Sequence, residues 1–337
     1  MPYYYLTPTG ATTKTGLSRA AAFDWAAFVS QATGAGFAAG DVLVWQGGAY
    51  TMTGDVSVVG SGTAEEVITI IPVKAATTHE GADIVESDYS TVADRPIVDG
   101  GSYAFYVLNY WRIVSTFKIT SDSAYGLRLG QYCYVNSVDA HNDEASTGTQ
   151  YGIYCLLYCY LENCVSLCDS GRGISAAGGS HVINCKSTAL DATNGLAFYP
   201  TSTNTQFIGC IAIGQVGVYL GNIDTYGYVI KNCTFYGCVY AVYATGSHSS
   251  IFSNNIIQNC TNGFYWIVPQ SSNVFIGNHQ GASVTDMWFG VPEAGVGPYA
   301  DQYATTGDVL FANAPTDLSL LGGSPCWGTA KDISVGV

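Results

Sequence analysis

The chain has 337 residues and a formal net charge of −14 at pH 7, with 11 basic against 25 acidic residues. This acidic excess argues against a protein that binds nucleic acid through phosphate contacts. The hydrophobic fraction of 48% argues against a disordered chain, and no run of 18 or more apolar residues predicts a membrane span.

The first predicted element is an amphipathic helix near the N-terminus. It runs from Ser18 to Val29 and places Ala22, Trp25 and Val29 on one face. We expect residues 1–40 to form a cap, because a helix there would cover strand edges that could otherwise pair with other chains. The opening Met-Pro-Tyr-Tyr-Tyr lacks the basic and apolar regions of a Sec signal peptide, so none is expected.

Short apolar segments with β-branched residues follow the predicted helix and are typical of strands. They cover residues 42–45, 67–71, 97–99 and 111–115. The stretch from Lys74 to Arg95 is polar and has no hydrophobic period. It is therefore predicted to be a long loop that leaves one turn of a strand-based structure.

Two sequence ladders share a period close to 23 residues. The first ends each unit in a Cys or Asn, at Cys164, Cys185, Cys210, Cys233, Asn255 and Asn278. The second starts each unit with a small residue, at Gly126, Gly152, Gly173, Gly195, Gly217, Ala241 and Gly263. Such a period marks a solenoid, and strands without any helical period between them indicate a parallel β-helix whose stacked turns share one core.

We therefore predict an all-β fold, a right-handed single-stranded parallel β-helix over residues 41–290. Residues 1–40 would form the N-terminal cap, and residues 291–337 would form the C-terminal cap. A ladder position that accepts either Cys or Asn indicates a stacked, buried side chain. We therefore predict that its cysteines are free thiols acting as small hydrophobic groups.

Several motifs resemble the pectate-lyase-like right-handed β-helix superfamily, in particular its polysaccharide-lyase-9 and chondroitinase-B-like branch. They are residues 5–10, residues 40–44 with 47–51, residues 60–64 before Ile68, and a Leu-x-x-Gly-Ser-Pro motif from Leu320. The resemblance implies the β-helix fold over nearly the whole chain. It leaves the function open, because the superfamily holds lyases, hydrolases, epimerases, phage tailspikes and adhesins.

Four aspartates fall at nearly the same place after the bend in successive turns: Asp122, Asp143, Asp169 and Asp191. Neighbouring turns lie about 4.8 Å apart, so Asp122, Asp143 and Asp169 could bind Ca²⁺. No other cofactor is predicted. Alternatively, two of Asp143, Asp169 and Asp191 could form a catalytic pair for glycoside cleavage. Asp is also favoured in turns for its backbone hydrogen bonds, which is the purely structural interpretation.

The second ladder also predicts an outer face. Leu127, Ile153, Ile174, Leu196, Val218, Val242 and Phe264 should point inward, and the residue after each should point outward. With Arg172 added, the predicted substrate-binding residues are Arg128, Tyr154, Arg172, Tyr219, Tyr243 and Tyr265. Aromatic rings pack on sugars and are enriched in protein interfaces. The alternative is that the tyrosines stack across turns and stabilise the sheet.

Three classes of function are compatible with this sequence. The favoured one is a phage virion component, of tailspike, appendage or capsid-decoration type, whose β-helix binds surface glycans. Its partners would be carbohydrate and other virion proteins, with a homotrimeric assembly in the virion or outside the cell. The alternatives are a lyase or glycoside hydrolase acting on an acidic polysaccharide, and an adhesin without catalysis.

Overall fold

The computed structural model describes residues 2–58, 60–143, 150–221, 225–246, 248–267, 273–276, 278–281, 284, 286–289, 305–306, 311–313 and 317–320. These residues form two compact units. Unit 1 holds residues 1–146 and 150–165, and unit 2 holds residues 166–336. No helix in these described ranges is long and apolar enough to cross a membrane.

Each turn of the chain adds one strand to each of three parallel sheets, which we name A, B and C in the order that the chain visits them. This is the all-β parallel β-helix predicted from the sequence, so the fold prediction is confirmed. Of the predicted C-terminal cap, 291–337, only three short strands fall within the described residues.

Unit 1 contains the first strands of each sheet. Those of sheet A are Tyr3–Leu6, Val42–Gln46, Ile68–Val73, Trp111–Ile113, Tyr134–Asn136 and Tyr160–Glu162. Those of sheet B are Gly48–Thr51, Pro96–Asp99, Phe117–Ser121 and Val138–Asn142. Those of sheet C are Val56–Val58, Phe105–Val107, Tyr125–Leu129 and Gln150–Cys155.

Unit 2 contains the later strands. Those of sheet A are His181–Ile183, Gln206–Ile208, Thr225–Lys231, His248–Ser253 and Val274–Ile276. Those of sheet B are Val165–Cys168, which starts at the unit boundary, Lys186–Ala189, Ile211–Ile213, Thr234–Tyr236, Ile256–Gln258, His279–Gln280 and Thr305–Thr306. Those of sheet C are Gly171–Ala176, Leu196–Pro200, Val216–Leu220, Tyr240–Ala244, Asn262–Trp266 and Asp286–Phe289. Phe311–Asn313 and Asp317–Leu320 form a separate antiparallel pair.

The recurring Asn-Cys and Gly-Cys pairs build the bend from sheet A into sheet B. The first residue of each pair has a left-handed backbone, with φ of 54° at Asn163, 52° at Asn184, 65° at Gly209 and 55° at Asn232. Asn and Gly are the residues that adopt this conformation at the lowest cost. The cysteine that follows then turns into the core.

The cysteines form a buried ladder of free thiols, as predicted. All ten described cysteines are free and buried. The Cys210 Sγ donates to the Val182 carbonyl at 3.2 Å, and the Cys233 Sγ donates to the Phe207 carbonyl at 3.4 Å. Burial raises the pKa of the Cys210 thiol well above its ordinary value, so this sulfur stays protonated and packs as a small apolar group.

The bends from sheet C into sheet A differ between the two units. In unit 1 they carry left-handed tyrosines, with φ of 59° at Tyr110, 58° at Tyr132 and 60° at Tyr158. In unit 2 they carry Gly179 and Asn204, with φ of 71° and 59°. The next turn has Gly227 at the corresponding position, with φ of 85°, in a bulge of the strand Thr225–Lys231. A left-handed side chain costs roughly 1–2 kcal/mol, or about 3–6 kcal/mol for three.

Stacking of the three tyrosine rings works against this strain. The Tyr110 and Tyr132 centroids lie 4.7 Å apart, and those of Tyr132 and Tyr158 lie 5.1 Å apart. Each stacked pair contributes about 0.5–1.5 kcal/mol, or roughly 1–3 kcal/mol for two. Because unit 2 makes the same bend with Gly and Asn, the fold itself does not require tyrosine there.

The N-terminal helix begins later than the sequence pattern predicts. A 3₁₀ turn covers Arg19–Ala21, and the α-helix runs from Trp25 to Thr33 instead of from Ser18 to Val29. Asp24 starts the helix because its carboxylate accepts the Ala27 N–H at 2.8 Å. The buried residues of the helix are therefore Trp25, Phe28 and Ala32. Of the predicted face, Ala22 is buried but precedes the helix, Trp25 is buried within it, and Val29 is only half-buried.

The loop between the sheet A strand Ile68–Val73 and the sheet B strand Pro96–Asp99 is held by Asp88. It contains two short 3₁₀ helices, Gly81–Asp83 and Glu86–Asp88. The Asp88 Oδ2 accepts the Val85 N–H at 3.0 Å and lies 2.8 Å from the His79 Nδ1. These contacts, with the Val85 N–H first, hold the pKa of the Asp88 carboxyl below its ordinary value.

We predict a pH-dependent contribution of Asp88 to stability. Because its folded-state pKa is depressed, the stabilisation is complete above the unfolded value of about 3.9 and is lost as the pH falls through the lower folded value. The difference in melting temperature between the wild type and Asp88→Asn should be largest above pH 5 and shrink below about pH 4. A difference that stays constant between pH 2 and pH 7 would contradict this origin.

Candidate functional site

Four tyrosines stack along the outer face of sheet C in unit 2. Ring centroids lie 5.7 Å apart between Tyr199 and Tyr219, 5.6 Å between Tyr219 and Tyr243, and 5.0 Å between Tyr243 and Tyr265. The last two pairs are directly opposite each other in the parallel register. Strand residues alternate between the two faces, so the preceding residues, Phe198, Val218, Val242 and Phe264, are buried in the core.

Tyr199 was missed by the sequence ladder, and the prediction for Leu196 was wrong. Leu196 was expected to point inward, but it is partly exposed and pairs with Arg172. Phe198 pairs with Ile174 and Val218 and is the inward residue of this turn. The ladder aligned Gly195 with Gly173, whereas the small residue opposite Gly173 is Ala197, two positions later.

Arg172 lies over the first ring of the tyrosine stack. Its guanidinium carbon is 3.9 Å from the centroid of the Tyr199 ring. A guanidinium over an aromatic face gains about 0.5–1 kcal/mol at an exposed site. The contact therefore places the guanidinium of Arg172 next to the first ring of the stack.

A groove of about 630 Å³ opens beside this stack. Tyr219, Tyr240 and Tyr243 supply its aromatic wall, and Arg172 and Asp191 supply its two charged groups. The remaining lining residues are small or polar apart from two aliphatic side chains: Ser170, Gly171, Thr193, Asn194, Leu196, Gln215 and Val216. The volume lies in the range of ligand sites that hold small molecules or short segments of a polymer.

Tyr240 fixes the arrangement of rings in the groove. Its ring meets Tyr243 edge-on at 5.1 Å and Tyr265 edge-on at 4.9 Å.

Burial, with smaller contributions from the neighbouring tyrosines, raises the pKa of the Tyr243 hydroxyl above its ordinary value. The Tyr243 hydroxyl therefore remains protonated at neutral pH and can donate a hydrogen bond to a ligand.

Asp191 is the one predicted catalytic aspartate that lines the groove among the described residues. Its Oδ1 accepts the Thr193 N–H at 2.7 Å, and its carbonyl accepts the Gly195 N–H at 2.9 Å. These bonds give Asp191 a structural role in the turn, as the alternative interpretation of the sequence proposed.

The other predicted acids do not line the groove. Asp122 and Asp143 are exposed and follow paired strands of sheet B in unit 1, whereas Asp169 is half-buried in unit 2. Among the residues that the structure describes, no group of three or more His, Cys, Asp and Glu side chains could hold a metal ion. The calcium role of Asp122, Asp143 and Asp169 and the catalytic role of Asp143, Asp169 and Asp191 stay predictions.

Arg128 and Tyr154 belong to a separate cluster on sheet C of unit 1. The Arg128 guanidinium lies 5.3 Å from the Tyr106 ring, 5.4 Å from the Tyr125 ring and 5.9 Å from the Tyr154 ring. Tyr125 also stacks on Tyr151 at 5.3 Å. The predicted binding residues therefore fall into two clusters, this one in unit 1 and the groove of unit 2.

No protein-family model matches the chain, and no curated protein is similar to it in sequence. Solved structures are similar to it in fold. A rhamnogalacturonan lyase aligns with a TM-score of 0.60 and 15% identity over 87% of this chain and 86% of that chain. The pectate lyase Pel9A aligns with a TM-score of 0.55 and 13% identity over 82% of this chain and 79% of that chain.

A third similar structure is the alginate lyase AlyGC, with a TM-score of 0.53 and 11% identity over 91% of this chain and 40% of that chain. All three have parallel β-helix folds. The resemblance to the pectate-lyase-like superfamily is thereby confirmed for the fold. The fold hosts many activities, so function has to be argued from the site.

Proposed function

We propose that this protein binds a glycan in the groove on sheet C of unit 2. The observation that carries the proposal is the combination of an aromatic wall, Tyr219, Tyr240 and Tyr243, with Arg172 and Asp191 in one groove. Aromatic rings pack against the C–H faces of sugars, while fixed polar groups select orientation. The similar structures are named as lyases of polysaccharides, and we extend that ligand class to this chain as part of the proposal.

Binding fits the groove better than glycoside hydrolysis does. Glycoside hydrolysis commonly uses two carboxylates on either side of the bond. Within the described lining, Asp191 is the single carboxylate, and its Oδ1 accepts a backbone N–H of its own turn. We therefore assign Asp191 to shaping the groove and Arg172 to contacting the ligand.

The test is binding to an array of neutral and acidic polysaccharides, followed by affinity measurements on the best ligand. Replacing Tyr219 and Tyr243 by Ala should remove about 1–3 kcal/mol of aromatic contact, a loss of roughly 5- to 150-fold in affinity. The matched control is Tyr219→Phe with Tyr243→Phe, which keeps both rings and should retain most of the affinity. Equal affinity of the Ala variant and the wild type would overturn the proposal.

The assignment to a phage virion is a separate hypothesis, as is the homotrimer. It rests on the β-helix fold and on the described cysteines, none of which forms a disulfide, with other virion proteins as partners. Light scattering of the purified chain tests its trimeric form. A mass of three chains supports that form, and a strictly monomeric particle counts against it.

A further inference from the structure

A second surface of stacked tyrosines lies in unit 1, on residues that the groove does not use. We name the tyrosine platform by its six residues: Tyr110, Arg112, Tyr132, Tyr134, Tyr158 and Tyr160. Two columns build it, because the bend residues 110, 132 and 158 precede the paired sheet A residues 112, 134 and 160 by two positions. We infer that this platform is a second carbohydrate-binding site, specific for a neutral, hydroxyl-rich ligand.

Backbone strain is the first observation that points to a ligand. Tyr110, Tyr132 and Tyr158 all adopt a left-handed conformation that a bulky side chain rarely adopts. Unit 2 makes the same bend with Gly179 and Asn204. Backbone strain that the fold does not require is found most often at binding and active sites.

The second observation is that the rings are both ordered and accessible. The planes of Tyr110 and Tyr132 differ by 8°, and those of Tyr132 and Tyr158 differ by 12°. Nevertheless, 42% of Tyr132 and 53% of Tyr158 are exposed. Rigid, exposed tyrosines give contact area at a low cost in conformational entropy, which suits a preformed binding surface.

The second column orders the rest of the platform. Tyr134 and Tyr160 stack at 5.4 Å with 15° between their planes, and the Arg112 guanidinium lies 5.4 Å from the Tyr134 centroid. The Tyr134 hydroxyl donates to the Glu162 Oε2 at 3.0 Å. The Tyr134 hydroxyl is thus engaged within the platform, whereas the rings of Tyr132 and Tyr158 are the exposed ones. A phenol hydroxyl can both donate to and accept from sugar hydroxyls.

Charge and size select the class of ligand. One cation, Arg112, and one neighbouring anion, Glu162, balance each other, so the surface favours an uncharged partner. The first column is three rings long, with centroids 4.7 Å apart between Tyr110 and Tyr132 and 5.1 Å apart between Tyr132 and Tyr158. Such a strip is far smaller than the roughly 800 Å² per partner of a stable protein interface, whereas it suits a short oligosaccharide.

The structure supplies a matched variant for the test. Tyr132→Asn combined with Tyr158→Asn installs the residue that unit 2 has at this bend, Asn204. Because Asn adopts the left-handed conformation more readily than Tyr, the backbone of the variant should be less strained than that of the wild type. If the double variant does not fold, Tyr158→Gly alone makes the same comparison at the most exposed ring.

The experiment measures binding to an array of neutral oligosaccharides by three proteins: the wild type, the platform variant, and the groove variant Tyr219→Ala with Tyr243→Ala. The wild type and the groove variant should bind at least one neutral oligosaccharide, and the platform variant should bind it at least tenfold more weakly. Unchanged affinity of the platform variant, or no neutral ligand for the groove variant, would overturn the inference. Failure of the groove proposal is distinguishable, since the groove variant would then bind every ligand, including those that the platform variant still binds, as tightly as the wild type.

Discussion

Trp45→Ala is expected to destabilise unit 1 by about 3–5 kcal/mol, the range for removing a large aromatic side chain from a core. Trp45 is fully buried at the point where the N-terminal helix meets the first turns. Its ring lies 5.5 Å from Phe28, 5.7 Å from Phe105 and 4.9 Å from Phe117. Removing it opens a cavity between the helix and the sheets, and the rigid strands cannot close it.

Trp45→Phe is the matched control for this prediction. The indole N–H of Trp45 is buried without a hydrogen-bond partner among the described residues, and phenylalanine removes it. The Phe variant should therefore lose less than half as much stability as the Ala variant. The free energy of unfolding is measured by denaturant titration with far-UV circular dichroism as the signal, because tryptophan fluorescence would change with the substitution itself. Similar losses of unfolding free energy for the two variants would show that cavity volume is not the cause.

Asn255→Ala is expected to cost about 3 kcal/mol in unit 2, because it removes the side-chain partner of two buried backbone groups, the Cys233 N–H and the Ile230 carbonyl, at about 1–3 kcal/mol each. The Asn255 side chain is fully buried and bridges successive turns. Its Oδ1 accepts the Cys233 N–H at 3.0 Å, and its Nδ2 donates to the Ile230 carbonyl at 3.0 Å. The Nδ2 also donates to the Asn278 Oδ1 at 2.8 Å.

Asn255→Cys separates hydrogen bonding from packing at this position. Earlier turns carry cysteine there, and the Cys233 Sγ donates to the Phe207 carbonyl at 3.4 Å. A cysteine at 255 could donate to the Ile230 carbonyl in the same way, but it is a weak acceptor for the Cys233 N–H. The Cys variant should be less stable than the wild type and more stable than the Ala variant. If it is as unstable as the Ala variant, the thiol does not replace the hydrogen bond that Asn255 donates to the Ile230 carbonyl.

The repeat could be predicted from the sequence because the bends and buried positions of each solenoid turn are set by residues that are neighbours in the chain. The Asn or Gly before each ladder cysteine predicts a left-handed bend, and the structure has one at Asn163, Asn184, Gly209 and Asn232. The cysteine after each of them is buried. The helix start was wrong because Phe23 bridges to Leu6, a contact that no local pattern reveals. Asp24, the next residue, then caps a helix that begins at Trp25.

The binding residues were predicted in part. Tyr219, Tyr243 and Tyr265 follow inward residues in register, so simple alternation placed them on the outer face. Tyr199 was missed because the ladder was two positions out of register in that turn, although Ala197 marks the small residue at the Gly173 position. Tyr110, Tyr132 and Tyr158 were missed because a tyrosine carries no signal for a left-handed backbone.

The sequence by itself determined the fold class, the period and the identity of the buried ladder, because these depend on alternation and on bends made by neighbouring residues. Only the tertiary structure decided which side chains from different turns meet. The contact of Arg172 with Tyr199, the groove beside Asp191 and the stacking of Tyr132 on its neighbours all depend on register between strands more than 20 residues apart. A shift of one residue moves a side chain to the other face, so the site follows from the packing of whole turns.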